Sequence, residues 1–260
     1  MPKLFSFRRT PRSHSQTPSP SKKDSFKKVT PTGSEPVCAI LLVMPSIYYN
    51  RNFRPQYFYH IFNRGAYKHK IFHDKDDYED FLGILAYYLK YPKAKKLSYH
   101  KTVKQPHILV PNQYVDSVRL VAYCLMPNHF HLILKQLPSA TKHTNISNLM
   151  RRVSITYAMH FQYKYKHAGT LFEGKYKNVV VDSNEQLLYL SKYIHQNPNK
   201  LVKNIKKYPY SSLPQYLKEV EPVDWLYPEY VYKLTKNYYH FFISKPTDAD
   251  AKKIEPLILE

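Results

Sequence analysis

The stretch Pro127-Asn128-His129-Phe130-His131 runs without a break into Leu132-Ile133-Leu134. No other segment narrows the fold as much. Side chains alternate along a β-strand, so His129 and His131 leave the same face about 7 Å apart, and Phe130 leaves the other. Two imidazoles at that spacing can lean onto one divalent ion, while Phe130 packs into a core. The segment therefore reads as a strand carrying two metal ligands on one face.

The chain around it is strongly basic, with 40 Lys and Arg against 19 Asp and Glu and a net charge of +21. Such an excess favours a polyanion partner, although a basic protein without a specific partner would show it too. The 26 Tyr and 13 Phe suit either packing or stacking on unpaired bases. Cys38 and Cys124 make neither a disulfide framework nor a zinc site, so the expected setting is reducing and cytoplasmic. The longest apolar run, Val37 to Met44, is far short of the roughly 18 residues of a membrane span. No glycine-rich phosphate loop is present, so nucleotide-driven chemistry is not expected.

Residues 1–50 read as a disordered extension, basic and rich in Ser and Pro, whose first 36 or so residues lack any aliphatic pattern. An alternative is that the native chain opens at Met44. Folded structure is expected from Gln56. Tyr57 to Phe62 is a strand by composition, followed by a turn at Asn63-Arg64-Gly65 in which Gly65 can supply a positive φ. Asp74 caps a helix through Tyr78, Phe81, Leu85 and Leu89. Residues 92–117 read as a long loop. Val118 to Leu125 and His129 to Lys135 are strands, with Met126-Pro127-Asn128 between them as a bulge or a tight turn. Asn145 or Ser147 caps a helix to about 165. Lys175 to Val181 is a strand, and Asp182 or Ser183 caps a last helix that Pro198 ends. Residues 216–260 are an aromatic and basic tail.

On that last helix Tyr193 and Asn197 stand four apart and share a face. The Asn197 amide oxygen can supply a third ligand beside His129 and His131, with the Tyr193 hydroxyl next to the ion. Such a mixed N/O set suits Mn²⁺, with Mg²⁺ and Zn²⁺ as alternatives.

Four segments now stand in order: Phe62-Asn63-Arg64-Gly65, Ala122 to Leu132 around the histidines, Tyr193-Ile194-His195-Gln196-Asn197-Pro198, and Tyr208-Pro209-Tyr210-Ser211-Ser212. Over residues 56–215 the chain resembles the single-tyrosine HUH transposases, most closely the REP-associated tyrosine transposases. The resemblance implies an α+β fold, a ferredoxin-like antiparallel sheet with packed helices and the HUH strand central. It implies Tyr193 as nucleophile, His129, His131 and Asn197 as metal ligands, and Mg²⁺ or Mn²⁺ as cofactor. The reaction implied is cleavage and rejoining of single-stranded, hairpin-forming DNA through a 5′-phosphotyrosine.

A replication-initiator or relaxase-type nickase, and a domesticated protein that only binds hairpins, are the alternatives. Tyr193 can act within its own subunit or across a homodimer. Its activating base is open, with Lys192 and metal-bound water as candidates. Arg64, Arg151, Arg152 and Lys192 are further candidates for DNA contact. Arg64 can equally be a turn residue, and Arg151 and Arg152 a solvated face. Tyr189, one turn before Tyr193, is expected to pack, and His195 to lie at the surface or against DNA.

Overall fold

A computed structural model describes residues 51–90, 114, 116–141, 145–221, 223–244 and 252–258. The extension 1–50 and nearly all of the expected loop 92–117 lie outside these residues.

Four strands, β1 (Phe58–Arg64), β2 (Val118–Met126), β3 (His129–Gln136) and β4 (Lys177–Val181), form one sheet in the order β2-β3-β1-β4. Every neighbouring pair is antiparallel. Helix α1 (Lys75–Leu89) joins β1 to β2, and α2 (Ile146–Tyr165) joins β3 to β4. This βαββαβ order is the ferredoxin-like arrangement of an α+β protein, with the two-histidine strand β3 in the interior. Among the described residues no helix is long and apolar enough to cross a membrane.

Local chemistry sets the boundaries. Asp74 accepts from the Asp77 backbone N–H while the Asp77 carboxylate accepts from the Asp74 N–H, a reciprocal cap that starts α1. Asn145 caps α2, and Ser183 caps α3 (Asn184–Gln196) through the Gln186 N–H. Pro127-Asn128 is a two-residue turn that sets Met126 opposite His129; the register shift in β2 falls instead between Leu120 and Ala122.

Alternation in β3 divides the molecule. Phe130, Leu132 and Leu134 are fully buried on the face covered by α1 and α2, where Phe81 meets the rings of Phe130 at 5.1 Å and Tyr157 at 5.0 Å. The two helices are also tied by charge. Burial alone would raise the Asp77 carboxyl, but hydrogen bonds from His160, Lys164, the His73 N–H and Tyr165 hold it well below the usual carboxylate range. Helix α3 packs on the other face, against β2, β3 and β4.

The residues after α3 close the structure. Leu125 N–H donates to Tyr210 O, Ser212 N–H to Tyr123 O and Tyr227 N–H to Leu120 O, so the outer edge of β2 is paired. Trp225 stacks on Tyr123, and Tyr216, Val231, Tyr238, Phe242 and Leu257 belong to the buried core. Much of the aromatic content of 216–258 is thus packing.

The turn after β1 is built differently from the expectation. Gly65 has φ −62°, and the left-handed conformations fall on Tyr67 (φ 53°) and Lys68 (φ 60°). Glycine is required at 65 for space: a Cβ there would stand 2.1 Å from the His69 carbonyl oxygen and 2.9 Å from Ile71 Cγ2. Gly65→Ala is expected to destabilise the fold by roughly 1–3 kcal/mol through overpacking, read as a lower urea midpoint. An unchanged midpoint would mean the turn can open at no cost.

Candidate active site

An open cleft of about 670 Å³ lies between the His129–His131 end of β3 and the end of α3. Its walls include Arg64, Asn128, His129, His131, Tyr193 and Asn197. The HxH strand and the Tyr193 helix, about sixty residues apart in sequence, therefore meet in one cleft. The Tyr193 ring stands edge-on to His131 of the same chain, with centroids 5.9 Å apart.

The tautomers of this site follow from backbone carbonyls, which can only accept. His60 Nδ1 lies 2.6 Å from Leu257 O, so it carries the proton and donates. Its Nε2 then offers a lone pair to His131 Nδ1, 2.9 Å away, which must be the donor. His131 Nε2 is left as a lone pair, buried and without a hydrogen-bond partner. Burial takes the His60 imidazole down to about 4, and burial together with the His60 and His129 rings holds His131 well below its usual value, so both are neutral.

The orientation of His129 is set in the same way. Asn128 Nδ2 donates to Lys68 O at 3.1 Å, which turns Asn128 Oδ1 toward His129 Nδ1 at 2.7 Å. The proton on Nδ1 leaves His129 Nε2 as an acceptor. Asn197 Nδ2 donates to Tyr193 O at 3.1 Å, so its Oδ1 is the atom that faces His129 Nε2, at 3.5 Å. Two acceptors pointed at one another repel unless a cation or a proton lies between them. Three lone pairs, on His129 Nε2, His131 Nε2 and Asn197 Oδ1, thus belong to one cleft, and this donor set fits a divalent ion. Among the described residues no three His, Cys, Asp or Glu side chains could hold a metal together, so a site here needs the amide oxygen. Cys124, opposite His131 in the sheet, is buried, and burial pushes its thiol up and keeps it protonated.

The other named residues divide. Arg64 lines the cleft but is paired with Glu173, Nη2 to Oε2 at 3.0 Å. Arg151 and Arg152 lie on α2, on the far side of the sheet, where Arg151 Nε donates to Asn148 and Arg152 Nε to the Tyr114 hydroxyl. Lys192 is buried outside the cleft, its ammonium donating to Phe241 O, Ser244 O and Ser244 Oγ. Tyr189 packs on Phe241. His195 corrects its expectation of a surface role: it is wholly buried between the Tyr238 hydroxyl and Ser212 Oγ. Sequence reading missed His60, which has no partner at a recognisable spacing, and Asn128, whose role depends on the turn.

A ferredoxin-like sheet that presents paired histidines to a helix-borne tyrosine is the arrangement of the single-tyrosine transposase class. The chain belongs to the IS200-like transposase family, whose description, "Transposase IS200 like", it matches over residues 54–197. No curated protein matches it. Among solved structures it is similar to a REP-associated tyrosine transposase bound to a REP hairpin, at 14% identity and a TM-score of 0.45, covering 68% of this chain and 89% of that one. It is also similar to a Deinococcus radiodurans protein described as a transposase, at 19% identity and a TM-score of 0.33, covering 56% of this chain and 95% of that one.

The buried neutral imidazoles tie stability to pH. Burial lowers His60 to about 4 and His195 to about 3, from an ordinary 6.5. Between those values the unfolded chain binds protons that the folded chain does not, so stability falls as pH falls through that window. At about pH 5 each of these two groups should have cost roughly 2 kcal/mol relative to about pH 7. Urea unfolding of the metal-free protein at the two pH values measures this, and equal stabilities would mean that the rings are charged inside the fold.

Proposed function

We propose that this chain is a metal-dependent transposase that cleaves and rejoins single-stranded DNA through a 5′-phosphotyrosine at Tyr193. The observation that carries the reading is the cleft shared by His129, His131, Tyr193 and Asn197, where His129 Nε2 and Asn197 Oδ1 stand 3.5 Å apart and His131 Nε2 is buried without a hydrogen-bond partner. Membership of a transposase family supports DNA strand transfer as the chemistry. The substrate class, single-stranded, hairpin-forming DNA, is supported by the motif resemblance, and a net charge of +21 supports a polyanion in general.

His129, His131 and Asn197 would hold Mg²⁺ or Mn²⁺, which when bound draws charge from the scissile phosphate and orients it. Tyr193 supplies the nucleophile. A bond forms from its phenol oxygen to phosphorus, the phosphorus–O3′ bond breaks, the phenol gives up its proton, and the leaving 3′ oxygen gains one. The phosphodiester energy is kept in the aryl ester, so an incoming 3′-hydroxyl can reverse the step and join strands. The contact of Tyr193 with His131 of the same chain supports action in cis. Lys192 is occupied with carbonyls of the tail, so the activating base is sought elsewhere. Arg64, turned onto Glu173 at the cleft rim, can reach DNA by exchanging that carboxylate for a phosphate. Arg151 and Arg152 would contact only DNA that wraps to the helical face.

With labelled single-stranded DNA and Mn²⁺, the protein is expected to form a covalent adduct that resists denaturant. Tyr193→Phe should remove the adduct while Mn²⁺ binding persists, and an adduct that survives the substitution would overturn Tyr193 as nucleophile. Calorimetric titration with Mn²⁺ tests the ligand set without turnover. His131→Ala should abolish binding, and His60→Phe, which leaves the ligands but removes the group that fixes the His131 tautomer, should weaken it about 10–100-fold. Unchanged Mn²⁺ affinity in both variants would move the metal away from this cleft.

A further inference from the structure

Tyr67 gives the fold little: its ring meets His69 at a tilt, with centroids 6.2 Å apart. The residue is 90% exposed, while no other large hydrophobic residue among the described ones passes 54%. Its backbone is left-handed (φ 53°, ψ 27°), and so is that of Lys68 (φ 60°). A bulky L-residue is disfavoured there and glycine or asparagine is the ordinary choice. A residue that is both strained and solvent-exposed points to a use outside the fold.

The segment that carries it is held firmly. Gly65 N–H donates to Asn128 O, Ala66 N–H to Leu171 O, and both Ile71 and Phe72 N–H to Pro127 O. The Lys68 carbonyl takes the Asn128 amide, and Asn128 in turn lines the cleft and fixes His129. Tyr67 therefore projects from a turn fastened to the β2–β3 hairpin, outside the lining of the cleft itself and on the wall of a second groove with His69, Lys70 and Tyr165. Lys68, His69 and Lys70 beside it are exposed, and no acidic residue interrupts Gly65 to His73. An accessible aromatic face flanked by cations is the physical makeup of a single-strand binding surface, since any base can stack on the ring while the cations meet the backbone.

We propose that Tyr67 is a stacking platform for an unpaired base of the DNA strand entering the cleft, with Lys68 and Lys70 on its phosphates. This rests on the reading of the cleft as a single-stranded DNA site. Being solvent-exposed, the ring can be removed without opening the core. Glycine at 67 would even relax the backbone.

The test uses the full chain and fluorescence anisotropy with a labelled oligothymidine single strand, alongside a fully paired duplex of the same length. Tyr67→Ala and Tyr67→Gly should bind the single strand about 10-fold more weakly or worse, with duplex affinity unchanged, whereas Tyr67→Phe should bind like the wild type. Tyr67→Gly should at the same time raise the urea midpoint, a combination that loss of a structural residue would not give. Lys68→Gln with Lys70→Gln should flatten the log–log salt dependence by about 0.7 for each phosphate no longer neutralised, and Tyr67→Ala should leave that slope alone. Equal single-strand affinity in wild type and Tyr67→Ala, while the Tyr193 adduct still forms, would overturn the stacking role alone. A wild-type protein with no single-strand affinity and no adduct would overturn both this inference and the transposase reading.

Discussion

A neutral imidazole has a donor end and an acceptor end of the same shape, and so does an amide. Which end faces a cleft decides whether the cleft attracts cations or anions, and packing alone does not choose. Here the choice is made by main-chain carbonyls, which accept and never donate. Leu257 O orients His60 and through it His131; Lys68 O orients Asn128 and through it His129; Tyr193 O orients Asn197. Each of the three lone pairs in the cleft is the far end of such a chain. Burial reinforces the arrangement by suppressing protonation of the inner rings.

The fold supplies those carbonyls from distant places. The sheet brings β1 beside β3 so that Phe62 faces His131 and His60 faces Ile133, which makes His60 the diagonal neighbour of His131 on the cleft side. The opposite side of the same strand is given to Phe130, Leu132 and Leu134 under α1 and α2. One strand thus anchors the core with its even-numbered residues and turns His129 and His131 to the cleft, and a rigid core below keeps those imidazoles in place above.

This division also explains how much could be read without coordinates. Strand β3 announced itself because its alternation is local, and α1 and α3 because Asp74 and Ser183 cap them at their own first turns. The meeting of Tyr193 with the histidines was legible through motif order. What was not legible depends on register or on the tail. His60 in Tyr-Phe-Tyr-His-Ile-Phe looks like any strand histidine until pairing places it against His131. Lys192 reads as a base or a DNA contact and His195 as a surface or DNA-contacting residue because nothing in 216–258 signals a packing role, yet Phe241 and Ser244 cover the one and Tyr238 the other. Gly65 is legible as a turn glycine, but crowding by His69 and not dihedral freedom excludes a side chain there.

The Leu257 carbonyl is 197 positions from the histidine it orients. Because a carbonyl is common to all residue types, this hydrogen bond is blind to side-chain identity. A substitution scan across the C-terminal segment would register Leu257 only as a buried apolar residue and would miss what its backbone does. Deletions, insertions or a backbone ester at that peptide would reveal it, since they move or weaken the oxygen itself. The chemical polarity of the cleft is thus written partly in chain length, a quantity that alignment of residue types does not score.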